Sequence, residues 1–270
     1  MVQNDNEWIR TFRGNDNNNS LDKGGLNLGR NDALALRVVI ITFQRANSLK
    51  RLLDSLNKAE YAGDLVNVDI WIDRSKTGLI HVPTVRVAKN FRFLHGSSEV
   101  IIRPVHAGLY GQWLTTWHPM LTTTEIAVIL EDDITVSPYF YKYLKTAHKK
   151  YDSFPDINGY SLQGVSIKHG TGTGKLDIPK QNIVFRYPVL GTWGFSPSVA
   201  NWIRFTTWFS KTRTNSAFNP YIPGNIVTEW YKGHQQQRKT DNMWSIWHAY
   251  FAWKNKEYTL YCNFGKFKIY

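Results

Sequence analysis

The sequence is poor in cysteine and has no long apolar stretch. Of its 270 residues only Cys262 is a cysteine, so no disulfide can form within the chain and nothing indicates an oxidising compartment. No run of about 18 apolar residues is present, and we therefore predict no membrane-spanning helix. Residues 1–36 are polar and rich in Asn, Asp and Gly, without the apolar segment of a signal peptide.

Acidic residues are fewer than basic ones. The chain has 33 Lys and Arg against 21 Asp and Glu, which gives a net charge of +12 and a pI near 9.6. A basic surface suits a polyanion, an anionic membrane face or a nucleotide diphosphate. The basic residues are scattered and no nucleic-acid-binding motif is present, so we do not predict nucleic acid as the partner, although charge alone keeps it as an alternative.

The order of apolar patterns predicts the fold class. Residues 1–36 are predicted to be a flexible arm and residues 37–270 a single domain, and the 42% hydrophobic content of the whole chain supports a sizeable core. Strand-like runs alternate with helical patterns as far as residue 155, which predicts an α/β fold with a mainly parallel sheet and helices on both faces. The predicted strands are Arg37–Phe43, Val68–Asp73, Val100–Arg103 and Ile126–Leu130. One predicted helix follows a cap at Asn47 or Ser48, two others cover 84–95 and 138–151, and a turn and helix are predicted over 108–117.

The most informative segment is 126–138, where an apolar strand-like run ends in Glu131, Asp132 and Asp133. Three carboxylates at a strand end repel one another unless a cation or a hydrogen-bonding ligand compensates. Oxygen ligands suit Mg²⁺ or Mn²⁺, and the carboxyl edge of an α/β sheet is where ligands usually bind. We therefore predict a metal–diphosphate site. The alternative is that the acids are solvated and cap the next helix. The following Ser-Pro pair already supplies a cap and a first-turn proline for that helix, which argues against this alternative.

Four further segments have both a functional and a structural interpretation. Asp73 ends the second predicted strand, where it either contacts a ligand or serves as a turn acid. Arg45 lies at a helix entry and either contacts a diphosphate or base, or is solvated. The two glycines of His106–Gly111 favour a plain turn. His248 follows Trp247 on an apolar helical pattern and is expected to pack in the core rather than to bind a metal, as are most of the tryptophans.

Together these motifs resemble a known family. Residues 37–255 resemble the GT-A-fold glycosyltransferases, and among them the inverting N-acetylglucosaminyltransferases that act on N-glycan cores and on protein O-mannose. The likeness depends on the acidic triplet with the helical pattern after it, on Thr42–Arg45, on Gly191–Phe195 and on Asp241. It implies a GT-A (Rossmann-like) open, mixed, mainly parallel sheet. It also implies transfer of a sugar from a nucleotide sugar, UDP-linked, to a carbohydrate or glycoconjugate hydroxyl with inversion.

The resemblance implies a role for each matching residue. Asp133 would bind Mn²⁺ or Mg²⁺, Trp193 would contact the acceptor, and Asp241 would take the proton of the acceptor hydroxyl. The residues implied to contact the nucleotide sugar are Thr42, Phe43, Arg45, Asp73, Glu131 and Asp132. The chain departs from the family at the base motif, which commonly has two acids before its tryptophan where this chain has one. At this start of a helical pattern Asp241 is equally an N-cap.

The same resemblance divides the domain into two halves. Residues 37–155 would bind the nucleotide sugar and residues 156–270 the carbohydrate acceptor, on one continuous sheet. No nucleic acid and no membrane span are expected. The chain would belong in the Golgi or ER lumen if a membrane anchor is missing from it, and otherwise in the cytoplasm.

Two other functions fit the acidic triplet. A nucleotidyltransferase also uses strand-end acids with Mg²⁺, but it usually carries a Gly-rich first loop, which Thr42–Arg45 does not provide. A catalytically inactive sugar- or nucleotide-binding protein of the same fold would bind without turnover, and the intact triplet argues against such decay. A basic nucleic-acid binder is the remaining alternative, and a steep salt dependence of binding would reveal it.

Overall fold

The computed structural model describes residues 10–11, 35–164, 183–240 and 243–263. The strands are β1 Arg10–Thr11, β2 Ala35–Thr42, β3 Leu65–Ile72, β4 Gly96–Ile102, β5 Ile126–Glu131, β6 Ile157–Ser161, β7 Ile183–Tyr187, β8 Phe195–Pro197 and β9 Tyr258–Asn263. The helices are α1 Ala46–Asn57, α2 Val82–Asn90, α3 Gly108–Leu114, α4 Phe140–Tyr151, α5 Val199–Thr212, α6 Ile226–Gln236 and α7 Ser245–Asn255. None of these helices is long and apolar enough to cross a membrane. Of the predicted arm at 1–36, only 10–11 and 35–36 are described, and both pairs lie in strands.

All described strands join one sheet in the order β1-β7-β9-β6-β8-β5-β2-β3-β4. The pairs β2 with β3, β2 with β5, β3 with β4, and β6 with β9 are parallel. The pairs β1 with β7, β5 with β8, β6 with β8, and β7 with β9 are antiparallel. The predicted α/β class, an open, mixed, mainly parallel sheet, is confirmed, and the same sheet runs through both halves of the chain.

Alternate side chains of the central strands enter two separate cores, as the period of a strand requires. In β2, Val38 and Ile40 pack on the face covered by α1, α2 and α4, whereas Val39 and Ile41 pack on the face covered by α3, α5, α6 and α7. Both sets are fully or almost fully buried, which explains why β2 is apolar without interruption. The helices therefore lie on both faces, as predicted.

Three predicted helices are shorter than expected, and the one predicted within 108–117 ends at Leu114. The helix predicted over 84–95 is Val82–Asn90, because the Asn57 side chain bonds both the Arg92 carbonyl and the Leu94 N–H (3.0 and 3.1 Å) and holds that segment outside the helix. The helix predicted over 138–151 begins at Phe140. A Ser137 turn precedes it, in which Ser137 Oγ accepts from the Tyr139 N–H.

Candidate active site

Three parallel strands end side by side at one edge of the sheet. Thr42 at the end of β2 is in register with Ile72 of β3, and Ile41 is in register with Glu131 of β5. The segments after these strands border a cavity of about 800 Å³. Six of the residues predicted to contact the nucleotide sugar line this cavity, namely Thr42, Phe43, Arg45, Asp73, Glu131 and Asp132. The structure therefore brings together the residues that the sequence places at three separate strand ends.

Asp132 is the best-held of the three strand-end acids. Its side chain is buried, and one oxygen accepts from Thr42 Oγ1 (2.5 Å) and from the Phe43 N–H (3.3 Å). The other oxygen faces the Arg45 guanidinium at 3.4 Å. Burial raises the pKa of Asp132, and the bonds from Thr42 and Phe43 and the charge of Arg45 act in the opposite direction. Donors from the β2 loop therefore position this carboxylate.

The loop after β2 turns sharply to reach Asp132. Gln44 has a φ of 54°, in the left-handed region that residues other than glycine adopt at a cost. This turn directs the Phe43 N–H and the Arg45 side chain toward the end of β5. The donors for Asp132 thus depend on one strained residue.

Glu131 contacts Trp113, which belongs to the core under α3, α5, α6 and α7. One oxygen accepts from the Trp113 indole N–H at 3.1 Å. The pKa of Glu131 is raised to about 7, mainly by burial. The charges of Asp133 and Asp132 act in the same direction, and the Trp113 bond and the charge of Arg45 act against it. A carboxyl group with this pKa is largely neutral in mildly acidic solution, which reduces the repulsion within the triplet without a metal ion.

Asp133 is the most exposed acid of the triplet. Its side chain is 48% exposed, and Arg45 Nη1 contacts its Oδ2 at 2.5 Å. It is not among the residues that line the cavity. Arg45 therefore bridges Asp132 and Asp133 and supplies the positive charge that the triplet requires.

Within the described ranges, no three His, Cys, Asp or Glu side chains are grouped so that they could hold a metal ion. This arrangement is compatible with Mg²⁺ or Mn²⁺, because Mg²⁺ in nucleotide enzymes usually has one or two carboxylate ligands and takes the others from substrate phosphates and water. Asp133 is the strand-end carboxylate that is accessible to such an ion. The donor set fits a metal that arrives with a diphosphate, and not a resident metal held by the protein alone.

Asp73 is buried at the end of β3 and shapes the cavity wall. Its oxygens accept from the backbone N–H groups of Arg74, Ala107 and Gly108, each at 2.8 Å. The last two groups begin helix α3, and Gly108 has a φ of +64°. The segment interpreted from sequence as a plain turn is therefore the start of α3, and Asp73 fixes it against the strand end.

The opposite wall comes from the second half of the chain, and sequence reasoning did not find it. This wall consists of Phe209, Arg213, Tyr231, Thr240 and Trp247. A chain of hydrogen bonds ties it to the first half: Trp247 Nε1 donates to Tyr110 Oη at 3.0 Å, and Tyr110 Oη donates to the Met243 carbonyl at 3.0 Å. No motif marks these residues, because they become neighbours only when α5, α6 and α7 pack together.

The remaining predicted residues are placed as follows. Trp193 is 62% exposed and is not among the residues that line the cavity. Asp241, the predicted base, lies outside the described residues, and the preceding Thr240 lines the cavity. His248 is buried among aromatic rings, as expected for a core histidine. The predicted roles of Trp193 and Asp241 stay predictions.

Models of protein families and curated proteins give no match to this chain. Among solved structures, it is similar to residues 1–349 of S. aureus TarS, with 12% identity over 80% of this chain and a TM-score of 0.43. It is also similar to full S. aureus TarS, with 13% identity over 84% and a TM-score of 0.44. A third likeness is to the mannosyltransferase PcManGT from Pyrobaculum calidifontis in complex with GDP-Man and Mn²⁺, with 21% identity over 47% and a TM-score of 0.32. The chain spans 55% of the TarS 1–349 structure, 35% of full TarS and 34% of PcManGT.

Proposed function

We propose that this chain is a glycosyltransferase that uses a nucleotide sugar. One observation carries the proposal: the carboxylate of Asp132, held by Thr42, Phe43 and Arg45, lies in the wall of an 800 Å³ cavity at the carboxyl edge of parallel strands. Ligands of α/β sheets bind at this edge, and a cavity of this size suits a molecule as large as a nucleotide sugar.

The charges around the cavity suit a diphosphate. Arg45 and Lys76 line it, and His106 lies beside them. Bound Mn²⁺ or Mg²⁺, held by Asp133, would supply the charge that neutralises a leaving diphosphate. Arg45 would then keep Asp132 ionised and oriented, since its guanidinium already contacts that carboxylate.

The finer features of the reaction rest on the resemblance of the motifs. We propose a UDP-linked donor, transfer of a hexosyl or N-acetylhexosaminyl group, inversion at the anomeric carbon, and Asp241 as the base that takes the acceptor proton. The wall that contains Phe209, Tyr231 and Trp247 would border the acceptor sugar, because it lies across the same cavity from the acidic edge. In this proposal the second half of the chain binds the acceptor.

Thermal-shift titrations test the donor site. Wild type, Asp133→Ala and Asp54→Ala are titrated with UDP, GDP and several nucleotide sugars, each with Mn²⁺ and with a chelator. Asp54 is the matched control, because it is a similarly exposed acid in a surface ion pair with Lys50. We expect one nucleotide to raise the free energy of unfolding by roughly 2.7 kcal/mol at about a hundred times its dissociation constant.

The expected shift requires the metal, disappears in Asp133→Ala and persists in Asp54→Ala. If none of the nucleotides raises the unfolding temperature, the chain has no donor site and the proposal is wrong. A shift that is equal with and without chelator would retain the donor site and remove the metal from the proposal.

One observation favours a second function, a nucleotide- or sugar-binding protein without turnover. Arg45 contacts Asp133 directly, so this carboxylate has a positively charged partner without a metal ion. Release of the nucleoside diphosphate from the bound nucleotide sugar, followed with and without simple sugar acceptors, separates the two functions. Binding without any release would identify the second.

A further inference from the structure

One corner of the molecule exposes several aliphatic side chains together. The loop before α2 carries Leu79 and Ile80, which are 70% and 38% exposed, and α2 begins with Val82, which is 55% exposed. The loop after β4 carries Val105, which is 70% exposed. We refer to these four residues as the aliphatic corner. Single exposed apolar residues need no explanation, but a contiguous group on a soluble protein usually marks an interaction site.

Hydrogen bonds hold the two loops of the corner together. Arg74 Nε donates to the Arg103 carbonyl at 2.5 Å, and Arg74 Nη1 donates to the Gly78 carbonyl at 3.0 Å. His106 Nδ1 lies 2.6 Å from the Arg74 carbonyl. Because Arg103 and His106 flank Val105, these bonds place Val105 beside the loop that carries Leu79. The corner is therefore a preformed surface.

The chain segment that carries Leu79, Ile80 and Val82 is rich in positive charge. Between Asp73 and Glu99 the sequence contains no acidic residue and five basic ones, Arg74, Lys76, Arg86, Lys89 and Arg92. Neither Lys76 nor Arg86 forms an ion pair with any acid in the described part of the chain. Asp73, the nearest acid in sequence, is buried and directed at backbone donors.

We infer that the aliphatic corner and its cations form a docking surface for an anionic lipid bilayer. Aliphatic side chains that enter the acyl boundary, combined with cations at the headgroup level, are the combination that holds a protein on an anionic leaflet. The net charge of +12 acts in the same direction. The surface contains no exposed aromatic ring on which the bases of a single-stranded nucleic acid could stack, which favours lipid over nucleic acid.

The position of the surface has a consequence for the cavity. Lys76 and His106 belong to the same two loops and also line the cavity. Docking at the corner would bring the rim of the cavity close to the lipid headgroups. The inference does not depend on the proposed function, since vesicle binding is measured without substrate or turnover.

Vesicle sedimentation with the whole chain is the first test. The probes are phosphatidylcholine vesicles and vesicles in which a third of the lipid is phosphatidylglycerol. We expect binding to the anionic vesicles alone, and weaker binding as salt rises. The double variant Lys76→Glu, Arg86→Glu should bind at least roughly tenfold more weakly, whereas Lys142→Glu, Lys254→Glu, with the same change in charge on exposed residues elsewhere, should lose less.

A dye placed on the corner distinguishes this docking from diffuse attraction. Cys262 is buried, so a single introduced cysteine can be labelled selectively. Leu79→Cys places the dye on the corner. Leu121→Cys is the matched control, because Leu121 is 71% exposed. It precedes the start of β5, whereas Leu79 follows the end of β3. We expect anionic vesicles to shift the emission of the dye to the blue at residue 79 only.

Three results would overturn the inference. They are no sedimentation with anionic vesicles, equal shifts of the two dyes, and equal losses of binding in the two charge-reversal variants. A fourth result would favour a nucleic-acid partner instead. In that case single-stranded RNA displaces the protein from the vesicles, and the dye at residue 79 shows no blue shift when vesicles are added.

Discussion

The molecule buries ionisable groups in two neighbouring regions, and it treats them differently. At the strand ends, Asp132 is surrounded by donors and Arg45 is its counter-ion. In the aromatic core behind them, His248 has only rings around it: the centroids of Phe195 and Phe205 lie 5.5 and 4.8 Å away, and no partner is available to its Nδ1. The first region keeps a charge available, whereas the second excludes one.

The two regions share one side chain. Trp113 donates its indole N–H to Glu131, and its ring stacks on Trp244 with centroids 4.4 Å apart. Trp244 lies 6.2 Å from the His248 ring. The aromatic core therefore supports the acidic edge mechanically and contributes a single polar contact to it. Burial alone therefore does not mark a functional acid or base, whereas the hydrogen-bond partners of the buried group do.

The largest expected effect comes from removing Asp132. Asp132→Ala leaves Arg45 without its buried partner and the Phe43 N–H without an acceptor, which we expect to cost about 2–3 kcal/mol of unfolding free energy. Asp133→Ala removes only an exposed ion pair and should cost less than about 1 kcal/mol. Urea unfolding of both variants at pH 7 measures the difference. Equal costs would mean that the contacts of Asp132 do not stabilise the strand ends.

The second expected effect is on the pH dependence of stability. Burial lowers the pKa of His248 to about 3. In the unfolded chain this histidine binds a proton near pH 6.5, so acid favours unfolding, and its effect is absent above that pH. Below pH 6.5 the free energy of unfolding should fall by about 1.4 kcal/mol per pH unit through this group, until the pH nears 3.

His248→Phe removes the titration and retains a ring of similar size. The unfolding free energy of the variant minus that of wild type should be about 2 kcal/mol larger at pH 5 than at pH 8. Thermal or urea unfolding across this pH range measures the change. His118→Gln, at an exposed position, serves as the control for the replacement of a histidine. A constant difference between His248→Phe and wild type would mean that His248 accepts a proton in the folded state.

The sequence predicts the acidic edge better than the wall opposite it, for a physical reason. The run at 126–130 is uninterrupted and is followed by acids, so Asp132 and the sheet around it could be predicted. A role for Thr42 is implied only by the resemblance of Thr42–Arg45 to a known family. The contact of Asp73 with Ala107 and Gly108 joins residues more than 30 positions apart, and no local pattern encodes it. The same is true of the Asn57 bonds that end α2 early.

The cavity wall from the second half was missed for a related reason. Phe209, Tyr231 and Trp247 are aromatic residues on helices, a pattern that equally describes core positions. Phe209 and Trp247 are in fact buried, although both line the cavity. Whether such a residue is core or wall depends on the packing of three helices, which sequence periodicity does not specify.

The smallest expected effect tests whether the donors at the acidic edge depend on strain. Gln44 is exposed, and its φ of 54° is one that glycine adopts without penalty. Gln44→Gly should therefore raise the unfolding free energy by roughly 0.5–1 kcal/mol. This is the net effect: relief of the left-handed conformation stabilises the fold, and the greater entropy of glycine in the unfolded chain cancels part of that gain. Urea unfolding measures the change, and Asn47→Gly, near the start of helix α1, is the control and should destabilise. If Gln44→Gly destabilises as much as the control, the Gln44 side chain holds the turn. The Phe43 and Arg45 donors would then depend on that side chain, and not on the backbone conformation alone.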